Sequence, residues 1–446
     1  MIERALAFLR QKLAESASYR ITLLLSLLLV LAVLFTYPLV LSPGDSLVSA
    51  TGDTRLTIWM LCWPVHQLLN DPLELYHGNI FFPGRNTLAF ADNMLSNSLL
   101  ALPVFLISKN PTLTYNFLLL ASILLAGLGM YLLAHRLTGS HYAALIAAVL
   151  YSFSATRMAR ISQIQLFTTH WTPFALLYLH RFLDTYSFRN LILFTFFFIL
   201  QALAGAYNAV YLVSAVAIAI PFLVIVEGKY KDRELYGKLF LFGCLSAAAL
   251  LPFFLPYLEN AKAYGMVRHP WVISKFSPDL RAYLAIPTNF YLWLASRFGL
   301  HSYLFSEAPF LFPGLIPLIL ALAGVWRMKI SAAQACYVIL ALFALIASAG
   351  SKLYLYDLLY EWFLLFKMTR VPSRFILLFV LCLSLLSAFG IRALLQQYQD
   401  TRRRVYIVVA VLLPLLFLAE SYFGPLSLFK VQENKEVYHW LADENP

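Results

Sequence analysis

Residues 21–41 read ITLLLSLLLVLAVLFTYPLVL, and this apolar run indicates the class of the protein. A helix needs about 20 apolar residues to cross the hydrocarbon core of a bilayer. The apolar core of a secretory signal peptide is shorter, at about 7–15 residues. We therefore predict a retained membrane-spanning helix, preceded by the basic residues Arg4, Arg10, Lys12 and Arg20.

The composition of the whole chain supports the same class. Of its 446 residues, 61% are hydrophobic and 12% are charged, whereas a soluble domain carries about 25% charged residues. A soluble fold of this size could not bury so much apolar surface, so lipid must cover part of it. The net charge of +11 is spread between apolar segments, which indicates membrane topology and contact with membrane lipids rather than nucleic acid.

Ten further apolar segments predict an all-α integral membrane protein with a bundle of about eleven transmembrane helices. The predicted spans are 21–41, 111–134, 141–155, 163–180, 191–204, 209–226, 239–257, 309–326, 332–349, 375–390 and 405–419. We assign residues 1–425 to this polytopic domain. Residues 426–446 would begin an extracytoplasmic C-terminal segment, whose abrupt end suggests truncation.

The segment 94–108 decides the topology, because it is apolar but short and contains Pro103. If it lies on the membrane surface, the short loops on the N-terminal side carry 17 of the 33 Lys and Arg residues. Cytoplasmic loops are enriched in these residues, so we predict a surface helix and a cytoplasmic N-terminus. The protein would then be a multi-pass protein of the cytoplasmic (inner) membrane. Its long first extracytoplasmic loop, 42–110, would contain juxtamembrane helices.

The first outer loop contains two carboxylates at the predicted starts of juxtamembrane helices. Asp53 stands in the stretch TGDT, residues 51–54, and Asp92 directly precedes the surface helix. Asp is a favoured helix N-cap, so either side chain could have only that structural role. A carboxylate held at the membrane surface can alternatively act as a general base or bind a cation. Asp53 and Asp92 are therefore our candidate catalytic residues.

The second outer loop, 156–162, carries two arginines on the less basic side of the membrane. Arg157 and Arg160 are three residues apart and would share a helix face if the helix continues. A guanidinium can bind phosphate through two parallel hydrogen bonds, although these side chains could instead reach lipid headgroups. His170 is a further candidate for substrate binding, but a lone histidine beside a tryptophan is more often a buried structural residue.

Two later loops add Glu307, Arg370 and Arg374 as candidate substrate-binding residues. Glu307 lies close to an apolar run, where an unpaired carboxylate is costly. Arg370 and Arg374 flank Pro372 at the predicted start of a helix. Cations oppose the dipole at a helix N-terminus, and an anion bound there would remove the conflict. This pair is the best predicted phosphate or diphosphate site, and we expect it to share one outer cavity with the candidate carboxylates.

This layout resembles the C-type polytopic membrane glycosyltransferase superfamily (GT-C), including its uncharacterised bacterial members. The similar features are Gly52-Asp53 in a long helix-containing outer loop, the helix pair after that loop, and the segments 307–314 and 370–375. The resemblance implies an enzyme that transfers a sugar from a polyprenyl-phosphate-linked donor to an extracytoplasmic lipid, glycan or protein. It leaves open whether a divalent cation, Mg²⁺ or Mn²⁺, takes part.

One departure from the superfamily concerns the second outer loop. Many relatives carry an acidic residue there, whereas residues 156–171 contain none. Either Asp92 supplies the second carboxylate, or the metal requirement or the activity differs.

Two other functions remain open. A transporter or flippase of lipid-linked envelope intermediates would need charged residues within its spans or broken helices in matching halves, and both features are scarce here. A non-catalytic envelope assembly factor would need neither Asp53 nor Arg370, because a fold does not fix a function.

Overall fold

The structure, a computed structural model, describes residues 16–49, 51–266, 269–305, 309–327, 330–398 and 411–431. Its α-helices in these residues are α1 (Ala17–Phe35), α2 (Gly52–Asn70), α3 (Leu95–Ser108), α4 (Pro111–Thr138), α5 (His141–Ser152), α6 (Ala155–Met158), α7 (Ile164–Phe167), α8 (Thr172–Thr185), α9 (Phe188–Ala202), α10 (Ala206–Val226), α11 (Arg233–Ala263), α12 (Pro270–Lys275), α13 (Asn289–Arg297), α14 (His301–Phe305), α15 (Leu315–Arg327), α16 (Ala332–Ser348), α17 (Leu355–Trp362), α18 (Leu364–Lys367), α19 (Ile376–Tyr398) and α20 (Leu413–Ser421). The strands β1 (Ser46–Leu47) and β2 (Phe429–Lys430) form one antiparallel pair.

These helices confirm the predicted all-α membrane class. Within the described ranges, five helices are long and apolar enough to cross a membrane: α1, α4, α10, α11 and the helix Pro372–Gln396, which contains α19. Each predicted span overlaps a helix, although the span 405–419 is described only from residue 411. The clearest difference is the predicted span 163–180, which is divided into α7 and α8. Pro173 stands in the first turn of α8, a position where its missing N–H removes no helical hydrogen bond.

Local sequence signals explain the helix pair that follows the first outer loop. Asn110 caps α4 by accepting a hydrogen bond from the backbone of Leu113 at 2.9 Å, and Pro111 occupies the first turn. Gly139 ends α4 with a φ of +68°, a conformation that glycine adopts without steric cost. Ser140 then caps α5. This sequence of caps produces two antiparallel helices joined by a very short loop.

Contacts between loops define one face of the bundle, which we call the inner face. Asp184 in the last turn of α8 forms an ion pair with Arg136 in the last turn of α4. The Lys229 Nζ atom before α11 donates a hydrogen bond to the backbone carbonyl of Leu183 at 2.6 Å. Arg20 in α1 also lies in electrostatic range of the last turn of α4. The loops before α5, α9 and α11 therefore lie together with the start of α1, which agrees with the predicted arrangement.

The opposite face, which we call the outer face, contains both ends of α3. After α3, the Asn110 side chain donates a hydrogen bond to the carbonyl of Gly44, beyond the end of α1, at 3.0 Å. At the start of α3, the Ser96 backbone N–H donates to the carbonyl of Leu203, beyond the end of α9, at 3.0 Å. Since α1 and α9 both begin at the inner face, both ends of α3 lie on the outer face. This geometry agrees with the prediction of a surface helix rather than a span.

The helix α19 is central to the bundle and carries candidate residues at its outer end. In the most apolar 18-residue stretch of the helix Pro372–Gln396, 89% of the residues are buried, whereas the figure for the corresponding stretch of α11 is 6%. Arg374 belongs to a 3₁₀ segment, Pro372–Phe375, that leads directly into α19. Arg374 is therefore held at the start of the most deeply buried of the five long apolar helices.

The described part of the predicted C-terminal segment packs on the first outer loop. The Leu426 backbone N–H donates to the Tyr37 carbonyl at 2.8 Å, and β2 pairs with β1. Residues 426–431 are therefore attached to the bundle, whereas residues 432–446 lie outside the described ranges.

The arrangement of the two faces gives a labelling prediction. In a variant that lacks the four native cysteines, Arg85→Cys should react with a membrane-impermeant maleimide on intact cells, because this exposed residue lies in the first outer loop. Lys231→Cys, which is exposed at the inner face, should react only after permeabilisation. Labelling of Lys231→Cys alone on intact cells would reverse the predicted orientation.

Candidate anion-binding site on the outer face

Arg160 and Arg374 come from different loops and meet beside two tyrosines of α10. The Arg374 guanidinium lies over the Tyr207 ring, 4.3 Å from its centroid. Burial lowers the pKa of Arg160, and the positive charge of Arg374 lowers it further. Tyr211, one turn along α10, lies in electrostatic range of both arginines. Two positive charges are thus held close together at the outer end of the bundle.

Neither of these arginines, nor Arg370, has an acidic partner among the residues that the structure describes. The ion pairs found there are Arg136–Asp184, Lys229–Glu227, Lys238–Glu234 and Arg281–Asp279. Like charges in proximity disfavour one another. A bound anion would relieve the repulsion between Arg160 and Arg374.

Three buried polar atoms without partners among the described residues belong to Arg160, to Tyr211 and to Ser373, the residue before Arg374. The Arg160 Nε, the Tyr211 hydroxyl and the Ser373 hydroxyl are buried and have no hydrogen-bond partner in the described part of the chain. Buried polar atoms nearly always have a partner in protein or ordered water. All three groups can donate a hydrogen bond, so together they suit an anion with several oxygen atoms.

Arg370 lies at the edge of this cluster. Its backbone N–H donates to the Tyr207 hydroxyl at 3.0 Å, and its guanidinium lies 5.8 Å from the centre of the Phe276 ring. The side chain is exposed. Arg370 could therefore contact a ligand that extends outward from Arg374.

Asp53 is exposed and is not a helix cap. Thr51 occupies the N-cap position of α2, without a side-chain capping bond, and Asp53 is the second helical residue. The Asp53 side chain makes no hydrogen bond or ion pair to any described residue. The hydroxyl of the next residue, Thr54, donates to the Ser162 carbonyl at 3.4 Å. The start of α2 therefore contacts the loop that carries Arg160.

Asp92 has a structural role that the sequence does not reveal. Its Oδ1 atom accepts hydrogen bonds from the backbone N–H of Asn93 at 3.0 Å and of Ala206 at 2.6 Å. Asp92 thus caps α10, whereas Met94 occupies the N-cap position of α3. Because Tyr207 follows Ala206, Asp92 also lies near the arginine cluster, but one of its oxygens is already engaged.

Three other candidates lie elsewhere. Arg157 is buried: its guanidinium stacks on the Phe167 ring at 3.9 Å and donates to the Ser122 hydroxyl at 3.0 Å. His170 is also buried, with its Nδ1 3.1 Å from the same hydroxyl. These positions indicate a packing role, and contact of Arg157 or His170 with substrate stays a prediction. Glu307 lies outside the described residues.

The two arginines of the second outer loop should differ in their effect on stability. Arg157→Ala would leave the carbonyl groups of Ser152 and Phe167 without their donor and create a cavity. It should lower the free energy of unfolding by about 3 kcal/mol or more. Arg160→Ala should change it by less than about 1 kcal/mol, because its loss removes repulsion from Arg374. Thermal unfolding in detergent measures both, and an equal loss would contradict the assignment.

Several residues of the cluster could not be selected from the sequence. Tyr207 and Tyr211 are two of 26 tyrosines in a strongly apolar chain, and nothing in their spacing separates them from packing residues.

Among the described residues, no group of three or more His, Cys, Asp or Glu side chains could hold a metal ion. We therefore derive no step through a metal.

Comparison with known proteins identifies the fold. No protein-family model and no curated protein matches this chain. The solved arabinofuranosyltransferase AftD from Mycobacteria matches it with 16% identity and a TM-score of 0.56, covering 95% of this chain and 28% of that chain. The solved oligosaccharyltransferase from Archaeoglobus fulgidus matches with 14% identity and a TM-score of 0.48. That match covers 95% of this chain and 55% of that chain. This chain thus spans little more than a quarter of the length of the first structure. Its fold is similar to that of the arabinofuranosyltransferase AftD.

Proposed function

We propose that this protein transfers a sugar from a polyprenyl-phosphate-linked donor to a lipid, glycan or protein acceptor at the outer face. The observation that carries the proposal is the cluster of Arg160, Arg370 and Arg374, which lacks acidic partners in the described chain. The contact between the Asp53 turn and the Arg160 loop supports it.

The arginine cluster would bind the phosphate of the donor. Arg374 and Arg160 would form charge-assisted hydrogen bonds to phosphate oxygens, which are about twice as strong as neutral ones. The Tyr211 hydroxyl, buried beside them, would donate another. Negative charge grows on the leaving phosphate as the bond to the sugar breaks, so donors already in place stabilise the transition state.

The Asp53 carboxylate would act on the acceptor. It would take the proton from an acceptor hydroxyl while the hydroxyl oxygen attacks the anomeric carbon of the sugar. The bond between that carbon and the phosphate oxygen breaks, and the electron pair leaves with the lipid phosphate. The exposed Asp53 carboxylate suits this role, because it makes no hydrogen bond or ion pair to a described residue that must be broken first.

The fold of the chain supports a transferase, since a solved arabinofuranosyltransferase has a similar fold. This similarity does not select the sugar or the acceptor of the present protein. We place the reaction at the extracytoplasmic side of the cytoplasmic membrane, with the N-terminus in the cytoplasm, because that orientation puts the more basic loops inside.

Transfer of labelled sugar from a panel of polyprenyl-phosphate donors to membrane extracts tests the proposal. Wild-type protein should produce labelled acceptor, and Asp53→Asn protein should produce it at least about 100-fold more slowly. Arms with Mg²⁺, Mn²⁺ and a chelator address the open question of a divalent cation. Movement of donor across the membrane without transfer would favour a flippase, and neither transfer nor movement would favour an assembly factor.

A further inference from the structure

A polar cavity lies at the inner face, between the end of α8 and the start of α9. It has a volume of about 330 Å³. Its polar lining includes Arg181, Thr185, Ser187, Arg189 and Asn190. Because these residues join two membrane-embedded helices, the cavity is at the level where lipid headgroups meet the protein.

The cavity is positively charged. Neither Arg181 nor Arg189 has an ion-pair partner in the described ranges. Among the described residues, no acidic side chain lines the cavity, and the nearby Asp184 is paired with Arg136. The Arg181 guanidinium is held over the Tyr178 ring, 5.2 Å from its centroid. Two guanidinium groups facing one cavity can bind the oxygens of a phosphate.

An apolar row leads from this cavity toward the middle of the bilayer. The Tyr178 ring stacks on Phe197, with centroids 5.5 Å apart, and Phe197 stacks on Phe174 at 5.0 Å. Leu193, in the cavity wall, lies one helical turn from Phe197 on the same face of α9. Since α8 runs from the outer to the inner face, the row extends from the charged cavity into the hydrocarbon region.

We propose that this cavity binds the phosphate of one anionic membrane lipid in the leaflet at the inner face, with an acyl chain along the row Tyr178–Phe197–Phe174. Inorganic phosphate could make the same contacts with the arginines but would gain nothing from the row. A zwitterionic lipid would bring a cationic group close to two arginines. The site therefore favours a lipid with a net negative charge.

Native mass spectrometry of the full-length protein in detergent tests the proposal. Titration with phosphatidylglycerol should show one preferred bound lipid, and phosphatidylcholine should bind at least about tenfold more weakly. The double variant Arg181→Gln/Arg189→Gln should weaken phosphatidylglycerol binding at least about tenfold. The matched control Lys231→Gln/Arg233→Gln removes the same charge from exposed positions at the same face and should change binding less than about twofold. Leu193→Trp would fill the cavity without changing charge and should also weaken binding.

Three results would overturn this inference. Equal loss in both double variants would show non-specific attraction to the basic face. Equal binding of the two lipids would remove the requirement for net negative charge. Complete displacement of phosphatidylglycerol by millimolar inorganic phosphate would indicate a site for a soluble anion. The lipid count does not depend on transferase activity, so either proposal can fail without the other.

Discussion

Asp53→Asn should lower the rate of sugar transfer about 10²–10⁴-fold, the usual contribution of general acid–base catalysis. Asparagine has nearly the same shape but cannot take the proton of an acceptor hydroxyl. Asp53 does not cap α2 and makes no hydrogen bond to a described residue. Its neutralisation therefore removes only its interaction with the helix dipole, worth about 0.3–1 kcal/mol. Single-turnover transfer measures the rate, and thermal unfolding measures the stability.

Asp71→Asn provides a matched control for this substitution. Asp71 is also exposed and directly follows the last residue of α2, about 27 Å from Asp53 at a rise of 1.5 Å per residue. It should keep full transfer activity. Full activity of Asp53→Asn protein would exclude Asp53 as the base, and equal losses in the two variants would point to a general effect of charge.

The helical bundle could be predicted because its signals are local. A run of about 20 apolar residues indicates a span wherever it occurs, and Asn110, Pro111 and Gly139 mark the ends of α4 through their own backbone preferences. The observed helix ends differ most from the predicted span boundaries where the chain leaves the membrane. The long helix α11 begins before its predicted span 239–257 and continues beyond it, because helical hydrogen bonds persist outside the lipid.

The roles of Arg157 and Arg160 could not be separated from the sequence. Their spacing predicts one shared face only if the helix continues. The helix α6 ends at Met158, so Arg160 leaves the helical path that Arg157 follows. Arg157 then enters the core and binds backbone carbonyl groups, whereas Arg160 lies beside Arg374. The end of α6 therefore separates a packing residue, Arg157, from a candidate phosphate-binding residue, Arg160.

The role of Asp92 was hidden for a different reason. Its position before an apolar segment indicates a cap for the next helix, and it does act as a cap. The capped helix is α10, whose first residue Ala206 is 114 positions away. A contact at this separation depends on how α3 lies against the outer end of α9, which no local pattern encodes.

Arg374→Gln should lower kcat/KM for the donor about 10²-fold, the second largest effect that we expect. The side chain lies beside Arg160 and over Tyr207, so its loss removes one charged donor from the phosphate and one positive charge from the transition state. Hydrogen bonds to charged groups contribute about 1.5–3 kcal/mol, and loss of one donor to a developing oxyanion costs about 10²–10³-fold in rate. Both magnitudes agree with the predicted loss.

Arg374→Lys separates the charge of this side chain from its geometry. Lysine keeps the charge but cannot form two parallel hydrogen bonds or lie flat on the Tyr207 ring. It should retain part of the activity, with a loss of about tenfold. Arg297→Gln is the control, because Arg297 is an exposed arginine at the end of α13 and should leave kcat/KM unchanged.

A double variant tests whether Arg374 and Arg160 act on the same phosphate. Adding Arg160→Gln to Arg374→Gln should cost less than the sum of the two single losses in free energy, because residues that share one ligand are coupled. Strict additivity would place the two side chains at separate sites.

Equal activity of Arg374→Gln and wild-type protein at saturating donor, with a raised KM only, would limit Arg374 to binding the donor before the reaction. Loss of kcat as well would place its charge on the leaving phosphate in the transition state.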